Sequence, residues 1–122
     1  MKSFLSYTAI IEGLTGIALI FAPSLVAQLL FNTKITEPVG ILLAMIGGAG
    51  IFCVAYCCWL GRSNAAQATA SKMILFYNVA VTVILLYGAL GLGFKGIPVW
   101  GIIVFHAFQS IRGILLNKNT VK

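Results

Sequence analysis

The residues best suited to chemistry are Glu12, Asn78, His106 and Gln109, which all lie inside long apolar stretches of the chain. A charged carboxylate in hydrocarbon is costly, so such a residue is usually paired or placed at a functional site. Glu12 either pairs with a protonated His106 or is a neutral acid that hydrogen-bonds to Asn78 or His106. The cluster therefore either binds a ligand or a proton, or serves only to fix the register of the helices.

The apolar stretches that carry these residues predict an integral membrane protein. Hydrophobic residues make up 61% of the 122 residues and charged residues 8%, whereas about 25% is usual in soluble domains. Four apolar runs, at about 3–22, 39–60, 73–92 and 97–116, are each long enough to cross a hydrocarbon core of about 30 Å. Because backbone groups in lipid must bond within their own segment, each run is predicted to be a helix. The expected fold is an all-α four-helix bundle, with residues 1–122 as one domain.

The depth of the polar residues predicts that they meet. Glu12 and His106 each lie about ten residues from the same end of the bundle, near the middle of a membrane. Asn78 lies about six to eight residues into its span from that end. We therefore expect Glu12, Asn78, His106 and Gln109 to form one cluster, with Glu12 and His106 as a coupled pair and Tyr77 nearby.

Small and polar residues mark one face of each span, and in lipid such faces are helix contacts. Gly47 and Gly48 lie on this face of span two, and we predict close helix contact at Gly47. Four such faces turned toward one another predict a closed bundle with no room for an aqueous pore. Residues 24–31 are apolar but too short to span, so they are expected to form an interfacial helix between spans one and two. Thr36 is the predicted N-cap of span two.

The basic residues predict the orientation in the membrane. The end that holds both termini carries most of them, and the positive-inside rule places that end in the cytoplasm of what we expect to be a bacterial inner membrane. Because these residues are scattered singly, they indicate lipid headgroups and not nucleic acid as the partner. The basic residues of this end are Lys2, Arg62, Lys72, Lys118 and Lys122, with Arg112 close by, against Lys34 and Lys95 at the other end.

The sequence gives little support to metal or nucleophilic chemistry. Cys53 and Cys57 share a helix face and could hold a soft metal, but that face lies away from His106, and inert thiols are the simpler interpretation. His106 has no Ser, Cys or Asp partner at a spacing typical of a catalytic site. We expect no metal and no cofactor.

Two resemblances bear on function. The Ala22-Pro23 break after span one, Glu37-Pro38 before a Gly-rich span two and the compact fourth span resemble the DoxX-like family of small four-span bacterial proteins. That resemblance implies the architecture, and some members belong to quinone-linked redox complexes. The position of Glu12 in span one is also similar to that of the Glu in small multidrug resistance transporters, which binds protons or cationic drugs in a dimer.

These observations lead to one main functional prediction with two alternatives. The main prediction is a non-enzymatic membrane protein that binds a lipophilic small molecule at the cluster, or is an accessory subunit of a larger membrane complex. The first alternative is a proton-coupled small-molecule transporter that acts as a dimer, one form of the homo-oligomer that is also a possible partner arrangement. The second is a small membrane enzyme in which Glu12 and His106 move protons on a lipophilic substrate.

Overall fold

The chain folds into helices throughout the part that the computed structural model describes, residues 1–63, 65–94 and 96–118. Within those residues there are five helices and no strand: α1 (Lys2–Phe21), α2 (Pro23–Phe31), α3 (Pro38–Leu60), α4 (Gln67–Leu90) and α5 (Ile97–Lys118). Helices α1, α3, α4 and α5 are long and apolar enough to cross a membrane. The prediction of an all-α, multi-pass membrane protein is confirmed, and α2 is the short helix expected between spans one and two.

The start of α4 and the N-cap of α3 differ from the predicted ones, while the other boundaries lie within about two residues of the predictions. Helix α4 begins at Gln67 and not near Met73, since hydropathy marks the segment within lipid while the helix continues into the polar residues before it. The N-cap of α3 is Glu37 and not Thr36, and Pro38 occupies the first helical turn. Proline fits there because its missing N–H would have no partner within the helix.

The helices form two pairs, with α1 packed along α3 and α4 packed along α5. Glycines permit the close approach of α1 and α3, because a Cβ on Gly16 would lie 2.8 Å from the carbonyl oxygen of Gly48. A Cβ on Gly48 would lie 2.7 Å from Cβ of Leu19. The prediction of close contact at Gly47 is wrong, since a Cβ there would meet nothing within 4 Å.

A packed core joins the two pairs at the end that holds the N-terminus and the end of α5. Its buried side chains come from the start of α1, the end of α3 and the start of α4: Phe4, Leu5, Ala9, Cys58, Ala70 and Ile74. Arg62 follows α3 at this end, whereas Lys34 lies at the opposite end in the α2–α3 connection. Lys95 and Lys122, on which the predicted orientation also depends, lie outside the described residues.

Toward the opposite end the two pairs border a partly open cavity, so the expected closed bundle is wrong for that half of the molecule. Helix α2 contacts α1, α3 and α5 at that end. Two interactions hold it there: the Ser24 hydroxyl donates to the Ile35 carbonyl oxygen, and the rings of Phe31 and Phe94 pack with centroids 5.3 Å apart. Asn32 ends α2 in the left-handed conformation, with φ of 52°, which asparagine adopts more readily than most residues.

Candidate functional site: a polar cluster in an apolar cavity

The cavity has a volume of about 1130 Å³ and an almost wholly apolar wall. Ligand pockets commonly measure roughly 300–1,000 Å³ and combine apolar walls with a few polar groups, so this cavity is large enough for a lipid-sized molecule. Glu12, Tyr77 and His106 belong to its lining, and each lies near the middle of its helix. Apolar side chains from all five helices complete the wall, among them Leu19, Val26, Ile51, Leu85 and Ile102.

Glu12 of α1 is bonded to Tyr77 of α4. The Tyr77 hydroxyl donates to Oε2 of Glu12 over 3.0 Å, and the Glu12 side chain is 3% exposed. This hydrogen bond links the two helix pairs, because Glu12 belongs to the α1–α3 pair and Tyr77 to the α4–α5 pair. The second carboxyl oxygen of Glu12 has no protein partner among the described residues.

Asn78 of α4 fixes the orientation of His106 of α5. The Asn78 Nδ2 donates to the Ile74 carbonyl oxygen over 2.7 Å, and because a carbonyl can only accept, the amide orientation is determined. Asn78 Oδ1 then lies 2.7 Å from Nδ1 of His106, so Nδ1 carries the proton and donates it. In a neutral imidazole this leaves Nε2 as an acceptor, and within the described residues Nε2 has no hydrogen-bond partner.

Ring packing joins these two hydrogen-bonded pairs into one cluster. The rings of Tyr77 and His106 meet edge to face with centroids 5.9 Å apart, a geometry that aromatic rings prefer. The structure thus brings together Glu12, Tyr77, Asn78 and His106. We call these four residues the central cluster.

Two sequence expectations about the cluster are corrected. Glu12 bonds to Tyr77, and the described residues contain no ion pair between Glu12 and His106. Gln109 lies outside the central cluster, where its Nε2 donates to Oγ1 of Thr8 over 3.3 Å. Gln109 follows His106 by three residues, close to one helical turn, so it lies one layer nearer to the packed core.

Sequence reasoning missed the residues that keep the cavity open. Gly47 and Gly101 line it, and a Cβ on either would meet nothing within 4 Å. Helix α2 closes its outer end with Val26, Ala27 and Leu30. The sequence does contain an indication of this open face. Gly47 and Gly48 are consecutive residues and so lie about 100° apart around the helix, which means that they cannot both face the same neighbour.

The cysteines are not grouped with other metal ligands. Cys53 and Cys57 are exposed on the outer face of α3, and Cys58 is buried in the packed core. Among the described residues there is no group of three or more His, Cys, Asp and Glu side chains that could hold a metal ion.

The fold and the site define a small multi-pass membrane protein, with four spanning helices and a central polar cluster in an apolar cavity. Comparison of the chain with protein-family models, with curated proteins and with solved structures finds no match.

Proposed function

We propose that this protein binds a lipophilic small molecule in the cavity, with the polar end of that molecule at Glu12 and His106. One observation carries the proposal: a cavity of about 1130 Å³ has an apolar wall and includes the ionisable residues Glu12 and His106, which lie near the middle of their helices, in its lining. An apolar wall contributes affinity for an apolar body, and a small number of polar groups fixes its orientation.

The hydrogen bonds within the central cluster support a specific chemistry for the polar end. The Nδ1–H group of His106 donates a hydrogen bond to Asn78, and the Tyr77 hydroxyl donates one to Glu12. The groups left over are Nε2 of a neutral His106, which accepts a hydrogen bond, and the second oxygen of Glu12, which accepts one when the carboxyl group is ionised and donates one when it is protonated. The favoured ligand therefore has a hydrogen-bond donor, a hydroxyl or an amine, at the end of an apolar body.

The cavity itself offers a test of occupancy. The substitution Gly101→Leu places a large apolar side chain in the cavity, where a Cβ meets nothing within 4 Å. Gly50→Leu is its matched control, because Gly50 also has open space around it and does not line the cavity. Both variants make the same change within a helix, so their effects on helix propensity should be equal.

The measurement is mass spectrometry of lipophilic molecules that co-purify with each protein from its membrane. We expect a molecule bearing a hydroxyl or amine to accompany the wild type and Gly50→Leu and to be depleted in Gly101→Leu. Equal amounts in all three proteins would contradict binding in the cavity.

The alternatives differ in what happens to the bound molecule. A proton-coupled transporter would move it across a vesicle membrane in response to a pH gradient, and an enzyme would convert it into a product. If the protein is an accessory subunit, the Gly101→Leu variant should still fold and should still bind the larger complex, although its cavity is filled. The same three proteins, reconstituted in vesicles, therefore distinguish a transporter from an enzyme.

A further inference from the structure

A second, smaller cavity lies between α1 and α5, near the end of the bundle that holds the packed core. Its volume is about 370 Å³, and its residues are Ser3, Tyr7, Phe105, Phe108, Gln109 and Arg112. It borders the large cavity, since both include Tyr7 and Phe105, but Arg112 and Ser3 line only the smaller one. The smaller cavity therefore places a cation and a hydroxyl beside aromatic side chains.

Within the described part of the chain, Arg112 has aromatic neighbours but no anion. Its guanidinium carbon lies 5.2 Å from the ring centroid of Phe4 and 5.7 Å from that of Phe108, which is within cation–π range. No described residue forms a hydrogen bond or an ion pair with Arg112. All five of its N–H groups are left for another partner.

The chain itself has little to offer Arg112 as a counter-charge. It contains two acidic residues, Glu12 and Glu37. Glu12 is bonded to Tyr77 in the central cluster, and Glu37 lies at the start of α3, at the opposite end of the bundle.

Arg62, in contrast to Arg112, has both a hydrogen-bond partner and an aromatic neighbour. Its Nε donates to the Trp59 carbonyl oxygen over 2.9 Å, and its guanidinium lies 3.2 Å from the Trp59 ring centroid. Arg62 follows the end of α3, where water and headgroups are within reach. Arg112 lies within α5, about 9 Å along the helix from Lys118, where an unpaired cation is costly.

We infer that the smaller cavity binds the phosphate of an anionic membrane lipid through Arg112. A guanidinium donates two parallel N–H groups to phosphate oxygens, and Ser3 and Tyr7 supply hydroxyl groups in the same cavity. The exposed ring of Phe108 provides apolar surface for the lipid chains. This site is independent of the ligand proposed for the large cavity.

The test measures lipid binding to purified protein in a non-ionic detergent by native mass spectrometry, with phosphatidylglycerol, phosphatidylcholine and inorganic phosphate as separate probes. We expect wild type to bind phosphatidylglycerol about fivefold more tightly than phosphatidylcholine, the effect of one basic residue near an anionic lipid. Arg112→Gln should abolish this preference, while Arg62→Gln, which also removes one charge, should retain it. Inorganic phosphate alone should bind much more weakly, because it lacks the apolar chains.

Arg112→Lys keeps the charge and serves if Arg112→Gln does not fold. Its preference for phosphatidylglycerol over phosphatidylcholine should be weaker than that of wild type but still present, because an ammonium lacks the planar pair of N–H groups that matches phosphate. A full preference in Arg112→Gln or in Arg112→Lys would overturn the site. An equal loss in Arg62→Gln would indicate general charge attraction, and equally tight inorganic phosphate would indicate a free anion; either result overturns the proposal.

Discussion

His106 of α5 donates through Nδ1 to Oδ1 of Asn78 in α4, and the two atoms are 2.7 Å apart. Asn78 is 1% exposed and is itself anchored to the Ile74 carbonyl oxygen. The imidazole is thus held in one orientation by a chain of hydrogen bonds that begins at the backbone of α4. This arrangement leaves Nε2 available at the large cavity and makes Asn78 a positioning residue for His106.

A double-mutant cycle tests this pair. Asn78→Leu and His106→Leu each leave a buried polar group without its partner, which is costly, while the double variant removes both. We expect a coupling energy of roughly 0.5–3 kcal/mol from unfolding in detergent. A cycle with Glu12→Gln and His106→Leu should give a smaller value, since these residues share no hydrogen bond. A larger coupling in the second cycle would contradict the observed pairing.

The hydrogen bond from Tyr77 to Glu12 predicts an effect on ligand affinity. Tyr77→Phe removes the hydroxyl that holds the Glu12 carboxyl group and preserves the ring that packs on His106. We expect ligand affinity to fall roughly twofold to tenfold, the usual worth of one hydrogen bond. Tyr87→Phe is the matched control, because Tyr87 is 63% exposed and does not line the cavity. Equal affinities of these two variants would argue against a role for Glu12 in binding.

The contact between α1 and α3 predicts which glycine is essential to packing. A Cβ on Gly48 would lie 2.8 Å from the Gly16 carbonyl oxygen, so Gly48→Leu should force the helices apart and destabilise the protein by about 1–3 kcal/mol. Gly50→Leu meets open space and should have a much smaller effect. Thermal unfolding in detergent compares the two, and equal stabilities would mean that α1 and α3 do not approach as closely as described.

The orientation in the membrane stays a prediction, and reporter fusions can test it. Four spans put both ends of the chain on one side, and the basic residues near that side predict the cytoplasm. A cytoplasmic reporter should be active when fused after residue 118 and inactive when inserted in the 32–37 connection. The reverse pattern would invert the topology without changing the fold.

The sequence predicted the spans well because lipid imposes a single rule, long apolar helices with internal hydrogen bonds. The sequence also predicted that Glu12, Asn78 and His106 lie at a similar depth, because the rise per residue of a helix is fixed. It could not predict rotation around each axis. Tyr77 and Asn78 are neighbours about 100° apart, and the structure assigns one to Glu12 and the other to His106.

The sequence indicates that Gly47 and Gly48 face different directions, but it does not predict the cavity, because the cavity depends on how the two helix pairs diverge. Gly47 was predicted to be a contact residue, yet both it and Gly101, which received no prediction, have open space around them. Helix packing in lipid depends on close fit and not on apolar burial, so apolar sequence alone does not distinguish a packed half from an open one. The similarity to DoxX-like proteins likewise stays a prediction.

The most direct test of the ligand-binding proposal is an experimental density map of the protein, purified from its membrane into lipid nanodiscs. We predict density for a single elongated molecule in the large cavity, with its polar end at hydrogen-bonding distance, about 2.7–3.2 Å, from Nε2 of His106 or the free oxygen of Glu12. A cavity collapsed onto Leu19 and Leu85, or filled by disordered lipid chains with no polar contact to either residue, would contradict the account.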